Sequence, residues 1–504
     1  MRSSNFFSSR SIFVLILLCA AISVAAPAQT FTKLADLSST TGEHPASQLT
    51  QGVDGNLYGS AEAGGAYSAG TFIKVTRSGT VADLHDFCLN DVSDCPDGAT
   101  PMGQIALGPD GNLYGATQGS PNLQADLGSG TLYKITPGGS FTTLYNFDSC
   151  TSNCSAYPAS GLTLARNGDF YGTSYPTSAI PSAFDNLVFK ISASGRFTNI
   201  LAVCPNQICP ADAGPYGTLL QAGYYIDAYR AEIGGNLIGP GPGGANGVGA
   251  FYKMSSAGTP TVSYSYCADS ICHDGYQTNT PIVEAEAGGF FGTNLYGGSG
   301  TSCTLTQGCG TAFKIIATGA GSLAKLHDFC SFASCGDGST PNALILATDG
   351  NFYGTTSAGG ANGDGTVFST TREGRFTLIH TFSGTDGSQP ATALYQATDG
   401  NLYGTTAKGG ANNDGTIFKI SLGVAPFVAT VQDAGAVGDP VVILGNNLTG
   451  ATSVTFNGTA AAFTVVSNTE ITTTVPAGAT TGSIQVVTAG SDTLSSNAAF
   501  VVLP

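Results

Sequence analysis

The hexapeptide Asp-Gly-Asn-Leu-Tyr-Gly begins at Asp54, Asp110 and Asp399, and Asp-Gly-Asn-Phe-Tyr-Gly begins at Asp349. Three worn copies fill the gaps: NGDFYG from Asn167, GGNLIG from Gly234 and AGGFFG from Ala287. The seven anchors are spaced 56, 57, 67, 53, 62 and 50 residues apart. A period of this size means a solenoid or a propeller, in which one unit cannot bury its faces alone and neighbours must stack.

Each copy has the same inner grammar. In the sixth, PNALILATDG (Pro341 to Gly350) gives an apolar segment and an Asp-Gly turn of the kind that tight hairpins favour. NFYGTT is a second segment, and a glycine-rich loop leads to a third, GTVFST. The turn REGR (Arg372 to Arg375) leads to a fourth, FTLIHTF. Four short β segments joined by hairpins predict a propeller blade, and no helix-periodic stretch longer than the N-terminal apolar run supports a helical solenoid.

The repeat ends are complementary. FTKLADLS (Phe31 to Ser38) reads as a fourth strand before the first copy, and the last copy stops after its third strand, GTIFKIS, at Ser421. Closing the ring with the N-terminal strand would pair two otherwise open edges. The expected fold class is therefore all-β: a seven-bladed β-propeller over 29–422, closed by the N-terminal strand. The fourth blade is the least regular, because YYIDAYRAEI from Tyr224 is either a loop or an alternative second strand.

Residues 423–426 break the pattern. From Phe427 to Pro504 there is no Cys or His, and apolar and polar residues alternate between frequent turns. This predicts an immunoglobulin-like β-sandwich over 427–504.

Residues 1–28 read as a signal peptide. Arg2 and Arg10 precede the apolar run Ser11 to Val24, and Ala26-Pro27-Ala28 places small residues where a signal peptidase cuts, before Gln29. An uncleaved anchor is the rival reading, but the run is short for a span. Leu18 before Cys19 is too bulky for the usual lipoprotein signal. No later segment is long and apolar enough to cross a membrane. The whole chain carries a net charge of −16, and removing Arg2 and Arg10 makes the mature chain −18. Nucleic acid and anionic lipid both need a basic footprint, which an acidic chain with 17 Lys and Arg lacks.

The twelve cysteines beyond Cys19 fall into six close pairs: Cys88 with Cys95, Cys150 with Cys154, Cys204 with Cys209, Cys267 with Cys272, Cys303 with Cys309 and Cys330 with Cys335. In an exported chain an even set reads as disulfides that pin loop tips. Zinc is the alternative, but C-x2-C spacing is absent and the five His are scattered.

The DGNLYGTT, GG and GT-F-K copies resemble the GloVer tandem-repeat family of bacterial exported proteins over about residues 31–421. The tail resembles the IPT/TIG family in VVILGNNL (Val441 to Leu448), SVTFNGTAAAF (Ser453 to Phe463) and VPAGATTGSIQVVT (Val475 to Thr488). The first resemblance implies a cell-surface or secreted role, often with a C-terminal anchor, although AAFVVLP at the end carries no hydrophobic tail. Neither resemblance implies a catalytic set.

Candidate sites are sparse. The loop GGANGDG (Gly359 to Gly365) could pass for a phosphate cradle, but a strand follows it and no Gly-Lys-Ser/Thr occurs anywhere. Asp364 and Asp414 are weak metal candidates, since calcium needs six or more oxygens and each loop offers one carboxylate. The recurring Tyr58, Tyr114, Tyr171, Tyr353 and Tyr403 could form a sugar-binding ring of aromatics; packing between blades is the bland reading. LHDF at Leu84 and Leu326 suggests a His-Asp general base. However, adjacent strand residues point to opposite faces, so His85, His327 and His380 read as fourth-strand packing positions. Glu284 and Glu286 belong to one blade only. No motif calls for a cofactor.

Two functions compete. One is a non-catalytic exported binding or scaffold protein that presents propeller loops to a glycan, an envelope component or a protein. The other is an extracellular polysaccharide hydrolase or lyase with carboxylates near the propeller axis. Fold does not choose between them.

Overall fold

The computed structural model describes residues 29–88, 95–119, 130–147, 156–176, 186–203, 219–221, 237–241, 245–246, 248–254, 260–269, 271–278, 281–286, 289–316 and 321–504. The expected signal peptide, 1–28, and the insertion from Tyr224 lie outside them. So do two of the six expected disulfides, Cys150 with Cys154 and Cys204 with Cys209. The described residues contain no α-helix.

The repeat region forms seven antiparallel sheets, within 43–86, 99–146, 156–203, 220–265, 283–328 and 339–381, and in 388–421 joined by Thr30–Asp36. In the sixth, the second strand, Phe352–Ala358, pairs with the first on one side and with the third, Thr366–Thr370, on the other. The third then pairs with the fourth, Phe376–Thr381. The N-terminal strand Thr30–Asp36 lies antiparallel to Thr416–Ser421, with Phe31 opposite Ile420, and so serves as fourth strand of the seventh sheet.

Consecutive sheets share apolar clusters. Tyr353 and Val367 of the sixth pack with Leu394, Leu402 and Phe418 of the seventh. Tyr403 and Ile417 of the seventh pack with Leu49, Leu57 and Ile73 of the first. The YG tyrosines Tyr58, Tyr114, Tyr171, Tyr353 and Tyr403 all sit in such clusters, each facing the next repeat.

Backbone bonds reinforce each junction. His44, Thr100, Thr340 and Gln389 each precede a proline and hold positive φ, a conformation that both sterics and the following proline disfavour. Each donates its amide to the preceding repeat: His44 to Asp414 O, Thr100 to Ala69 O, Thr340 to Cys309 O and Gln389 to Asp364 O, at 2.8–3.2 Å. The glycine ahead of the third strand packs on that proline. A Cβ on Gly365 would lie 2.8 Å from Pro390 Cδ, and one on Gly415 would lie 2.9 Å from Pro45 Cδ. This contact explains why glycine recurs ahead of the third strand and proline recurs in the first.

The first strand departs from the uninterrupted segment expected from sequence. In four sheets it splits in two, as Ser339–Pro341 and Ile345–Leu346, while in the second sheet Ala99–Leu107 stays continuous with a register shift between Met102 and Ala106. Proline lacks the N–H that would continue the ladder, and the small residues after it leave the strand line.

Residues 429–503 form two further sheets over one core that includes Val428, Ile443, Phe456, Ile471, Ile484 and Phe500. One contains Ala429–Thr430, Pro440–Leu444, Glu470–Thr474 and Phe463–Val465. In the other, Ala434–Ala436 runs parallel to Thr493–Leu503.

Candidate functional site

Residues in and beside the first strands converge on one cavity. Ala46, Met102, Ala159, Pro281, Asn342 and Ala391 line it, one from each of six repeats, around a volume of about 190 Å³. The local sequence explains the placement. In PASQL, PMGQI, PASGL and PATAL, proline starts the break, small residues face the cavity, and the closing Leu or Ile is buried in the cluster behind. Among the described residues the lining holds no acidic, basic or histidine side chain.

Gln48 and Gln104 line this cavity and also a second one of about 300 Å³ on the Asp-Gly-turn side. Gln48 Nε2 donates to Leu394 O at 2.6 Å. The far wall of the second cavity belongs to the C-terminal body: Ala429, Thr430, Val431 and Leu444. That body is fastened to several repeats. Arg166 donates to Asp433 through Nε (2.9 Å) and Nη2 (2.7 Å), a bidentate pair. Thr469 Oγ1 donates to Val53 O at 2.7 Å, and Asn446 bridges Arg77 and Thr398.

The histidines form staples away from this cavity. His85, His327 and His380 each place Nε2 2.9 Å from a carboxylate, those of Asp97, Asp337 and Asp386. Neither His85 nor His327 pairs with the acid next to it in sequence. Asp86 and Asp328 instead accept the loop amides of Ala66 and Ser299. Each ring also stacks on a phenylalanine of the next repeat: His85 on Phe141, His327 on Phe376 and His380 on Phe31, with centroids 3.6–4.0 Å apart. Tyr145 stacks on Phe197 in the same way. Burial pushes the His380 imidazole below its usual range, against the opposing pull of Asp386. Sequence reading missed these partners, although Asp-Gly recurs soon after each histidine, at Asp97-Gly98, Asp337-Gly338 and Asp386-Gly387.

The glycine-rich loops are occupied by their own repeats. Asn362 Nδ2 donates to Phe382 O, Asn412 Nδ2 to Leu37 O and the Ala411 amide to Asp36. Asp364 accepts from Ser388 Oγ at 2.6 Å, and the Asp364 and Asp414 carbonyls make the junction bonds above. Neither aspartate joins a cluster of three potential ligands; among the described residues such a cluster forms at Cys303, Cys309 and Cys330, whose sulfurs are in disulfides.

Tyr58, Tyr114, Tyr353 and Tyr403 donate to Asp54, Asp110, Asp349 and Asp399 of their own turns at 2.6–2.8 Å. Tyr171, in the worn copy, accepts from Asn167 instead. Burial, helped by the neighbouring carboxylate, pushes the Tyr58, Tyr114 and Tyr353 phenols far above their usual value. Tyr171 is 6% exposed and the other four at most 1%, so these rings offer no open face on which a sugar could stack.

Four of the expected disulfides fall on described residues. Cys88–Cys95, Cys267–Cys272, Cys303–Cys309 and Cys330–Cys335 are bridged, each closing the loop between neighbours in sequence. The pairing of Cys150 to Cys154 and that of Cys204 to Cys209 stay as sequence expectations, because all four residues lie outside the described set.

The family model described as Gloeobacter/Verrucomicrobia repeat matches residues 21–181 and 228–466. No curated protein matches the chain. Among solved structures, a fungal alcohol oxidase of the AA5 family in complex with copper is 13% identical, with 94% of this chain and 99% of that one covered and a TM-score of 0.48. Penicillium chrysogenum α-L-arabinanase complexed with arabinobiose is 13% identical (63% and 92% covered, TM-score 0.40). PorZ, a surface component of the type-IX secretion system of Porphyromonas gingivalis, is 13% identical (89% and 58% covered, TM-score 0.40). No functional argument follows from likeness at this level.

Proposed function

We propose that this chain, which belongs to the Gloeobacter/Verrucomicrobia repeat family, is an exported, non-catalytic binding module. In this reading the seven sheets are blades of a ring-closed propeller, 29–422, and an immunoglobulin-like body of IPT/TIG type, 427–504, follows the linker 423–426. The pairing of Thr30–Asp36 with Thr416–Ser421 and the cluster joining the seventh sheet to the first support ring closure. Residues 1–28 act as signal peptide, and the disulfides suit an extracytoplasmic setting.

The carrying observation is the chemistry of the central cavity. Its described lining is uncharged, mixes small residues with the carboxamides of Gln48, Gln104 and Asn342, and is drawn from six repeats, which suits recognition of an uncharged polar ligand such as part of a glycan. A hydrolase or lyase would need paired carboxylates there, one of them with a raised pKa, and the described lining contributes none.

The test is to pass protein from Gln29 onward over plant and microbial polysaccharides, recording retention and release of new sugar ends together. Retention without release is the expected result. Release of ends would overturn the non-catalytic reading.

A further inference from the structure

We infer that the C-terminal body turns the central passage into a blind socket, and that this socket takes the neutral terminal sugar of a glycan chain rather than its interior. The inference rests on the binding reading above and deepens it.

Three observations lead there. First, the C-terminal body lies over the cavities on the Asp-Gly-turn side. Ala429, Thr430, Val431 and Leu444 wall the second cavity, and the Arg166–Asp433 pair and the Thr469–Val53 bond fasten that wall to the first and third repeats. A polymer threaded along the axis would run into this body, whereas a chain end would not.

Second, the lining selects for a neutral, hydroxyl-bearing group. An ionised ligand would be desolvated without a counter-charge among the described residues, which is strongly unfavourable. The residues at the waist between the cavities carry carboxamides, and a carboxamide both donates and accepts, as a sugar hydroxyl does. Gln48 is held in place by its bond to Leu394 O. The Gln104 side chain lines both cavities and is half-buried, with no hydrogen-bond partner among the described residues.

Third, the volume is small. The first cavity, about 190 Å³, lies below the roughly 300–1,000 Å³ of sites for drug-sized ligands, and together with the second, about 300 Å³, it suits a ring or two at a chain end rather than a longer segment. The rim on the other side includes the exposed Ala391, where a larger side chain would narrow the entrance without disturbing a packed core.

The test compares linear and cyclic glycans of the same sugar: malto-oligosaccharides against cyclodextrins, and linear against cyclic β-glucans. Wild-type protein, Ala391→Trp and Gln104→Leu are run in parallel, with circular dichroism and thermal melting to confirm that each variant is folded. The expected result is retention of a linear chain and none of its cyclic counterpart. Both variants should lose about tenfold or more in affinity, the scale of one lost hydrogen-bonded contact. Equal retention of cyclic and linear forms would overturn end recognition while leaving the binding reading standing. Retention unaffected by Ala391→Trp would also overturn it, by placing the site elsewhere. Failure to retain any glycan, linear or cyclic, would remove the glycan-binding reading itself and this inference with it.

Discussion

His380 shows how a single residue acts as a structural link here. Its ring stacks on Phe31, brought from the N-terminal strand, and its Nε2 meets Asp386 at 2.9 Å. Burial lowers its pKa from 6.5, so the folded protein favours neutral imidazole. The unfolded chain therefore takes up the proton first as pH falls, and stability should decline as pH drops below about 6.5 toward the depressed folded value. His380→Phe should remove that part of the decline, which denaturant titrations of both proteins between pH 7 and pH 5 would measure. An unchanged pH slope in the variant would exclude His380 as its source. The pairing of His380 with Asp386 thus joins a stacked ring to the loop that follows the fourth strand.

The repeated element is defined by its junctions as much as by its hydrogen-bond ladder. At four junctions the glycine before the third strand has positive φ and lies against the proline of the following repeat; Gly365 with Pro390 is one example, at φ +93°. Gly365→Ala would place a methyl group against Pro390 and the Thr356 carbonyl in a backbone conformation that L side chains rarely adopt. The expected cost is about 1–3 kcal/mol. A neighbouring change at Gly363→Ala is the control, because that position also has positive φ but open space around its Cβ. Thermal or urea melts should rank the two, with Gly365→Ala the lower. Equal stabilities would show that backbone conformation alone, and not the contact with the next repeat, sets the requirement for glycine.

At the scale of the whole molecule, the C-terminal body is joined to the repeats by directional bonds and by an apolar contact. Leu444 and Val442 pack into the cluster shared by the first and second sheets. Arg166 is 9% exposed at its side chain while Asp433 is 51% exposed, so solvent screens the pair. A double-mutant cycle with Arg166→Ala and Asp433→Ala should give a coupling of only about 0.5–1 kcal/mol, falling further at high salt. A coupling near zero at low salt would assign the attachment to the apolar contact and the neutral hydrogen bonds. The docking also brings Ala429, Thr430, Val431 and Leu444 into the lining of the second cavity, which the repeats by themselves would not provide.

The seven-fold anchor, the four-segment grammar and the neighbour pairing of the described cysteines could be read from sequence because each depends on residues close together in the chain. Turn chemistry, alternation and short loops leave direct local traces. The pairing of Phe31 with the last repeat was legible for a related reason: both edges carry repeat sequence. Other features required the assembled fold. His85 finds Asp97 rather than Asp86 because alternation sends adjacent side chains to opposite faces and the loop returns a more distant acid. The Tyr58, Tyr114, Tyr353 and Tyr403 rings are buried because the next sheet covers them, which no local pattern records. The cavity is the clearest case. Ala46, Met102, Ala159, Pro281, Asn342 and Ala391 are ordinary in their own segments and become a site only when six repeats bring them together. Sequence determined the repeating unit, and tertiary structure alone decided which residues of separate units line one cavity and where the C-terminal body packs against them, because both depend on contacts between residues far apart in the chain.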